Sequence, residues 1–155
     1  MAIGLRIVGI FYRTEVDLGE EGGTVKDVLD AAQGQITAGT SFSYGTANLH
    51  GFESPNIFRA FYESGFVSPA SGQSYDGGEY LLSENTTTRP SYTVWQYYII
   101  DKHGRVLNRG NGFVRYDNPE KAKVEDGQRV VWRLLTILGE PSVASNRRLE
   151  SALVS

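Results

Sequence analysis

The segment YTVWQYYII, residues 92–100, constrains the fold more than any other part of the sequence. Its β-branched and aromatic residues favour a β-strand. Alternate side chains of a strand point to opposite faces, so Val94 and Tyr98 share one face while Trp95 and Tyr97 share the other. Both faces are apolar, and a stable fold must therefore cover both or leave one as a binding surface.

The composition limits the classes of protein to which the chain can belong. Its 155 residues, 40% of them hydrophobic, are enough for one folded core. The absence of cysteine excludes disulfides, thiol nucleophiles and cysteine-ligated metals. A formal net charge of −3 argues against nucleic-acid binding, because a phosphate backbone requires a basic surface. We predict no nucleic-acid partner, no cofactor and no bound metal.

The distribution of apolar residues along the chain bears on membrane association and on the cellular compartment. No stretch approaches the roughly 20 apolar residues that a membrane helix requires. The first residues, MAIGLRIVGIFYR, lack the basic start and cleavage site of a signal peptide. We predict no membrane association and a cytoplasmic location by default, with secretion as the alternative for a chain from which a signal peptide was removed.

The beginning of the chain predicts a hairpin followed by a helix. Alternating runs over 5–10 and 14–18 indicate two paired strands. Thr24 is a suitable helix N-cap, and Asp27 can return the capping interaction. The helix is predicted to run to about Gln33 and to end at Gly34.

The last third of the chain predicts further strands. Residues 91–117 predict a meander with a turn at His103 and Gly104 and a turn or bulge at Asn111 and Gly112. Arg129 to Leu138 is the longest β-branched and aromatic run, which predicts a central strand. We expect residues 1–140 to form a single domain and residues 141–155 to form a polar tail or a short helix.

Three patterns carry a resemblance to a known architecture: TVKDVLDA at 24–31, WQYY at 95–98 and VEDGQRVVW at 124–132. Their order resembles the β-grasp, or ubiquitin-like, superfold, and they are similar to a domain family of unknown function related to the C-terminal domain of transcobalamin. The resemblance implies an α+β fold, with a β-grasp-like mixed sheet, one main helix and a long insertion. The chain departs from the family at 125–128, and no cobalamin-contacting position can be matched.

The insertion, residues 37–90 approximately, lies between the helix and the aromatic strand. It contains five acidic residues, two arginines and no lysine, so we expect an acidic surface. Ser54 and Pro55, followed by the apolar residues Ile57, Phe58 and Phe61, predict a short capped helix. The rest reads as loops and short strands, which either cover the sheet or form a binding site.

The aromatic strand and the insertion supply the candidate binding residues. Val94, Tyr98 and Ile100 form the more continuously apolar face, so we expect Tyr98 to face the helix. Trp95 and Tyr97 are then expected to face the insertion, where rings with a polar edge suit recognition. The candidate ligand- or partner-binding residues are Trp95, Tyr97, Tyr44, Phe52, Tyr75 and Tyr80.

Catalytic and metal-binding patterns are weak. His103 lies in the turn DKHGR, and His50 with Glu53 has no nucleophile motif around it. The acidic residues of YDGGEYLLSE lack the ligand spacing of a calcium loop and read as a solvated acidic rim: Asp76, Glu79 and Glu84.

These observations favour a non-catalytic binding module that recognises a protein or a small ligand through an aromatic, acidic insertion face. One alternative is a small acidic viral or phage protein that inhibits a basic partner. A second alternative is an enzyme that uses His50 and nearby carboxylates. An enzyme requires an enclosed pocket with a shifted-pKa group, whereas an inhibitor requires a broad exposed acidic face.

Overall fold

The computed structural model describes residues 1–37, 39–48, 53–68, 71–85, 91–111 and 118–138. One helix lies in these residues, α1 (Val25–Gln33). The strands are, in chain order, β1 (Ala2–Ile7), β2 (Tyr12–Asp17), β3 (Gly23–Thr24), β4 (Ile36–Thr37), β5 (Thr40–Asn48), β6 (Glu53–Tyr62), β7 (Phe66–Val67), β8 (Ser74–Tyr75), β9 (Gly78–Ser83), β10 (Ser91–Ile100), β11 (Val106–Asn111), β12 (Lys123–Val124) and β13 (Arg129–Leu138).

The predicted hairpin and helix at the start of the chain are confirmed. Strands β1 and β2 pair antiparallel, and α1 follows them. The hydroxyl of Thr24 accepts a hydrogen bond from the Asp27 N–H at 3.3 Å, and the Asp27 carboxylate accepts one from the Thr24 N–H at 2.9 Å. This reciprocal pair satisfies two N–H groups that a helix start leaves without partners.

The larger sheet has five strands in the order β11-β10-β13-β1-β2. Strand β1 runs parallel to β13, and the other neighbours are antiparallel. Strand β13 is paired along both edges, and Val130 and Trp132 on it are buried. The prediction of a central strand over Arg129–Leu138 is therefore confirmed.

The helix predicted after Pro55 is wrong, because this segment forms β6. Strand β6 pairs with β5 on one edge and with β9 on the other. Its side chains follow a period of two, with Phe58 and Tyr62 buried and Phe61 exposed. Pro55 lies beside the register shift of the β5–β6 pairing, where a strand tolerates a residue without an N–H donor.

The expected α+β class is also wrong, because the structure is mostly β. About 60% of the described residues lie in strands and 8% in the helix. The difference comes from the insertion, which forms a second sheet in the order β4-β5-β6-β9 and a hairpin of β7 and β8. Strand pairing satisfies the backbone hydrogen-bonding groups of this long segment, which buried loops would leave without partners.

One core lies between the larger sheet, α1 and the second sheet. It includes Leu5 of β1, Leu29 of α1, Phe58 of β6 and Trp132 of β13. The helix and the second sheet therefore cover the same face of the larger sheet, which we call the inner face. The opposite, outer face carries the side chains that alternate with these, such as Arg6 and Tyr98.

The expectation that Tyr98 faces the helix is wrong. Trp95, Tyr97 and Ile99 belong to the core cluster, whereas Tyr98 does not. The space between the larger sheet and its two covering elements is filled by large rings. The prediction chose the face with the longer run of apolar residues. The size of the side chains decides instead, because the space between the sheets must be filled to normal packing density.

Candidate functional site

Two of the predicted binding residues, Trp95 and Tyr97, are core residues with 0% exposure. The Trp95 ring meets Phe58 edge-on with centroids 4.5 Å apart, and the Tyr97 ring lies 5.4 Å from that of Trp132. Trp95 faces the insertion, as expected, but as a buried contact between two sheets. Neither ring can touch a partner while the sheets remain packed.

Tyr44, a third predicted binding residue, connects β5 to α1. Its hydroxyl donates a hydrogen bond to the Asp30 carboxylate, and its backbone N–H donates to Oε1 of Gln33 at 3.0 Å. Burial and the hydrogen bond to Asp30 raise the pKa of the Tyr44 hydroxyl well above its usual range. These contacts give Tyr44 a structural role where the helix meets the second sheet.

Two further candidates, Tyr75 and Tyr80, belong to a group of five rings that we call the aromatic cluster: Phe11, Tyr62, Phe66, Tyr75 and Tyr80. Phe66 stacks on Tyr62 with centroids 4.0 Å apart and on Tyr75 at 5.2 Å. Tyr80 meets Phe66 and Tyr75 edge-on, with interplanar angles of 87° and 90°. Stacked and edge-to-face pairs are favourable ring arrangements, so the cluster is a well-packed surface.

The β7–β8 hairpin positions the outer part of the cluster. Phe66 and Tyr75 are a directly paired couple on its two strands. After the hairpin, the Tyr80 hydroxyl donates a hydrogen bond to the backbone carbonyl of Asp76 at 2.6 Å. Strand pairing and this hydrogen bond therefore hold three rings in a fixed relation.

The turn between β1 and β2 adds Phe11 to the cluster. Its ring lies 5.5 Å from that of Tyr75, and its backbone φ of 57° is in a region that bulky residues rarely adopt. The Tyr62 hydroxyl donates a hydrogen bond to the carbonyl of Ile10 at 2.7 Å and so holds the turn against β6. Burial raises the pKa of Tyr62 to about 12. The unusual backbone at Phe11 is thus maintained by contacts with the second sheet.

The aromatic cluster has an exposed edge and an acidic rim. Phe66, Tyr75 and Tyr80 are half-buried, and Val67 beside them is 60% exposed. The exposed carboxylates that directly follow two of the rings in the chain form the rim: Glu63 and Asp76. Glu79 precedes Tyr80 on β9 but pairs with Phe61, so it points to the opposite face of the second sheet, where it lies 3.7 Å from Nε of Arg59.

Other predicted functional residues have different outcomes. Phe52 and His50 lie outside the described residues, so the binding role of Phe52 and the enzyme alternative with His50 stay predictions. His103 is exposed in the β10–β11 turn, and its backbone N–H donates a hydrogen bond to the Asp101 carboxylate at 2.8 Å. Within the described ranges, no group of three or more His, Asp or Glu side chains is arranged to hold a metal.

Glu84 is a largely buried carboxyl group, so the prediction of a solvated rim is wrong for this residue. It follows β9, and its carboxylate accepts a hydrogen bond from the backbone N–H of Trp95 on β10 at 2.8 Å. Burial raises the pKa of Glu84 to about 7, and the hydrogen bond from Trp95 opposes this rise. Glu84 links the second sheet to the larger one.

Three cluster members, Phe11, Tyr62 and Phe66, were not predicted from the sequence. The available signal for Phe66 is Gly72, which has a φ of 71° and lies between Phe66 and Tyr75. Glycine between two apolar segments is typical of a hairpin, and a hairpin pairs these two rings. For Phe11, Gly9 in the turn after β1 is the corresponding signal.

Comparisons with protein-family models, with curated proteins and with solved structures give no match to this chain. The resemblance to the β-grasp superfold and to the transcobalamin-related family therefore stays a prediction. In the part of the chain that the structure describes, no helix combines the length and the hydrophobicity needed to span a membrane.

Proposed function

We propose that this chain is a non-catalytic binding module that recognises a protein partner through the aromatic cluster and its acidic rim. The observation that supports the proposal is the half-exposed edge formed by Phe66, Tyr75 and Tyr80 next to the exposed Val67. Rings with a polar edge supply a large contact area and a hydrogen-bonding group at little entropic cost. Such residues are enriched among those that dominate binding energy.

The charge of the rim indicates the kind of partner. Glu63 and Asp76 are exposed and directly follow Tyr62 and Tyr75 in the chain, and the ion pairs among the described residues include neither carboxylate. An acidic rim around apolar rings favours a partner whose contact surface combines apolar and basic side chains. Lysine and arginine can also lie over tyrosine rings. Exposed charges are screened by salt, so binding is expected to weaken as ionic strength rises.

We also propose that the larger sheet and α1 form a β-grasp unit related to the transcobalamin-related family. The strand order of the larger sheet is β11-β10-β13-β1-β2, and its first and last strands along the chain, β1 and β13, are parallel neighbours. This arrangement supports the proposal. The second sheet and the β7–β8 hairpin are then additions to that unit, and all rings of the aromatic cluster except Phe11 lie on these additions. The proposed binding role does not depend on the resemblance.

The test compares two substitutions of rings that reach the surface, Tyr75→Ala in the cluster and Phe61→Ala outside it. Phe61 is 48% exposed on the second sheet and is the matched control. Each protein is immobilised and used to capture partners from a lysate of the native host, and captured proteins are quantified by mass spectrometry. A contact that dominates binding contributes about 2 kcal/mol or more, which is roughly a 30-fold change in affinity.

The proposal predicts at least one protein captured by the parent and by Phe61→Ala but lost with Tyr75→Ala, and less capture at high salt. It is contradicted if Tyr75→Ala captures the same proteins as the parent. It is equally contradicted if both substitutions abolish capture, because the cluster would then have no special role. Unfolding curves of both variants establish that they are folded.

A further inference from the structure

The outer face of the larger sheet carries a group of arginines near the edge that β1 and β2 form. Arg6 of β1 and Arg13 of β2 are directly paired across the two strands, and both are exposed. Arg133 of β13 lies on the same face, two residues beyond Val131, the residue that pairs with Arg6. Glu15 of β2 shares this face but pairs with Gly4, two residues further from the β1–β2 turn, so the part of the face next to the turn is locally basic.

Two arginines in direct cross-strand register repel each other and destabilise a sheet. The ion pairs among the described residues include neither Arg6 nor Arg13 nor Arg133. By contrast, Arg105 in the β10–β11 turn lies 3.1 Å from the Asp101 carboxylate. A negatively charged group between Arg6 and Arg13 would remove the repulsion.

A cavity lies beside this pair of arginines. Its volume is about 390 Å³, and it is lined by residues 6–9 and 11–13, including Arg6, Arg13, Val8 and Phe11. This size is within the usual range for small-molecule sites. Apolar side chains and arginine stems form walls, while the guanidinium groups can donate hydrogen bonds in pairs to a carboxylate or phosphate group.

The shape of the cavity depends on the turn between β1 and β2. Gly9 has a φ of 104°, and a Cβ atom at this position would collide with the Leu82 side chain of β9. The turn therefore packs closely on the second sheet, with Phe11 held in its left-handed backbone conformation. The Phe11 ring contacts Phe66 and Tyr75 in the aromatic cluster, and Phe11 also lines the cavity.

We propose that this cavity binds a small organic anion, with a carboxylate or phosphate group between Arg6 and Arg13 and an apolar body against Phe11 and Val8. The guanidinium groups recognise the oxygen atoms, and the walls recognise the apolar body. The site does not rest on the proposed recognition of a protein partner, because its charged groups lie on the outer face of the larger sheet.

The test measures binding of four small probes to the full chain by calorimetry at constant ionic strength. Phenyl phosphate and phenylacetate are aromatic anions, inorganic phosphate lacks the apolar body, and benzyl alcohol lacks the charge. The test variant combines Arg6→Gln with Arg13→Gln. The control combines Arg105→Gln with Arg129→Gln, which changes the net charge equally, and neither control residue lines the cavity.

We expect at least one aromatic anion to bind the parent and the control, and to bind the Arg6/Arg13 variant at least 10-fold more weakly. The preference between phenyl phosphate and phenylacetate identifies the anionic group. Inorganic phosphate and benzyl alcohol should bind at least 10-fold more weakly than the preferred aromatic anion. Because the substitutions remove a repulsion, the melting temperature of the Arg6/Arg13 variant should not fall below that of the parent.

The proposal is overturned if neither aromatic anion binds the parent, or if both double variants lose binding equally. It is also overturned if inorganic phosphate binds as well as the aromatic anions, since the apolar walls would then contribute nothing. A large fall in the melting temperature of the Arg6/Arg13 variant would identify the arginines as structural. The Tyr80→Ala variant removes a cluster ring that contacts Phe66 and Tyr75, and it should bind the probes like the parent, which separates this site from the proposed protein-binding surface.

Discussion

Two groups of aromatic rings in the described part of the chain differ in exposure although their residue types are similar. Phe58, Trp95, Tyr97 and Trp132 are at most 1% exposed between the two sheets. Phe66, Tyr75 and Tyr80 also pack on one another, with centroids 5.2 to 5.9 Å apart, but are half-buried. The first group lies on strands paired along both edges and covered by a second layer, whereas two members of the second group lie on the β7–β8 hairpin. Position in the sheets, and not residue type, separates core from displayed surface.

The largest expected effect compares two phenylalanines on the same strand, β6. Phe58 is 0% exposed and contacts Trp95 and Trp132, whereas Phe61 is 48% exposed. Replacing the buried ring leaves a cavity between the sheets, so Phe58→Ala should lower the free energy of unfolding by about 3–5 kcal/mol. Phe61→Ala should lower it by less than about 1 kcal/mol. Chemical denaturation measures both values, and equal losses would contradict the division between core and displayed rings.

A smaller effect on the free energy of unfolding is expected from comparing a buried carboxyl group, Glu84, with an exposed one, Glu79. The pKa of Glu84 is raised to about 7 by burial, whereas in the unfolded chain the group loses its proton near its ordinary value of 4.5. Between these pH values the folded state holds a proton that the unfolded state has released. The free energy of unfolding therefore falls as pH rises through this window, by on the order of 3 kcal/mol, and this contribution is constant above it.

Glu84→Gln removes this pH dependence and keeps an oxygen that can accept the Trp95 N–H. The variant should match the parent near pH 4 and be more stable than the parent at pH 8. Glu79→Gln, on the exposed part of β9, is the control and should leave the pH profile close to that of the parent. Denaturation curves across this pH range provide the measurement. If Glu84→Gln loses stability equally at both pH values, the carboxyl group is not buried as described.

Local chemistry explains which parts of the fold were predictable. The Thr24–Asp27 capping pair and the alternation of β1 and β2 act over a few residues, so the sequence reveals them directly. Strand β6 was missed because Ile57, Phe58 and Phe61 fit a helical period as well as a strand. Its pairing with β5 and β9 decides the outcome, and these partners lie elsewhere in the chain.

The candidate site was predictable in part for the same reason. Tyr75 and Tyr80 stand in an aromatic, glycine-rich segment, which marks them as candidates. Trp95 and Tyr97 have similar side chains, but their burial depends on the second sheet, which was not predicted. Phe11 reaches the cluster from a turn far away in sequence, and only the packing of that turn on the second sheet places it there.

The most direct test of the account is the reactivity of individual tyrosines in the native protein. Brief nitration with tetranitromethane, followed by mass spectrometry of peptides, reports which rings are accessible to reagent. We predict that Tyr75 is nitrated readily and that Tyr97, at 0% exposure, is protected until the protein unfolds. Nitration of native Tyr97 at the same rate as Tyr75 would contradict the claim that one group of rings is core and the other is displayed.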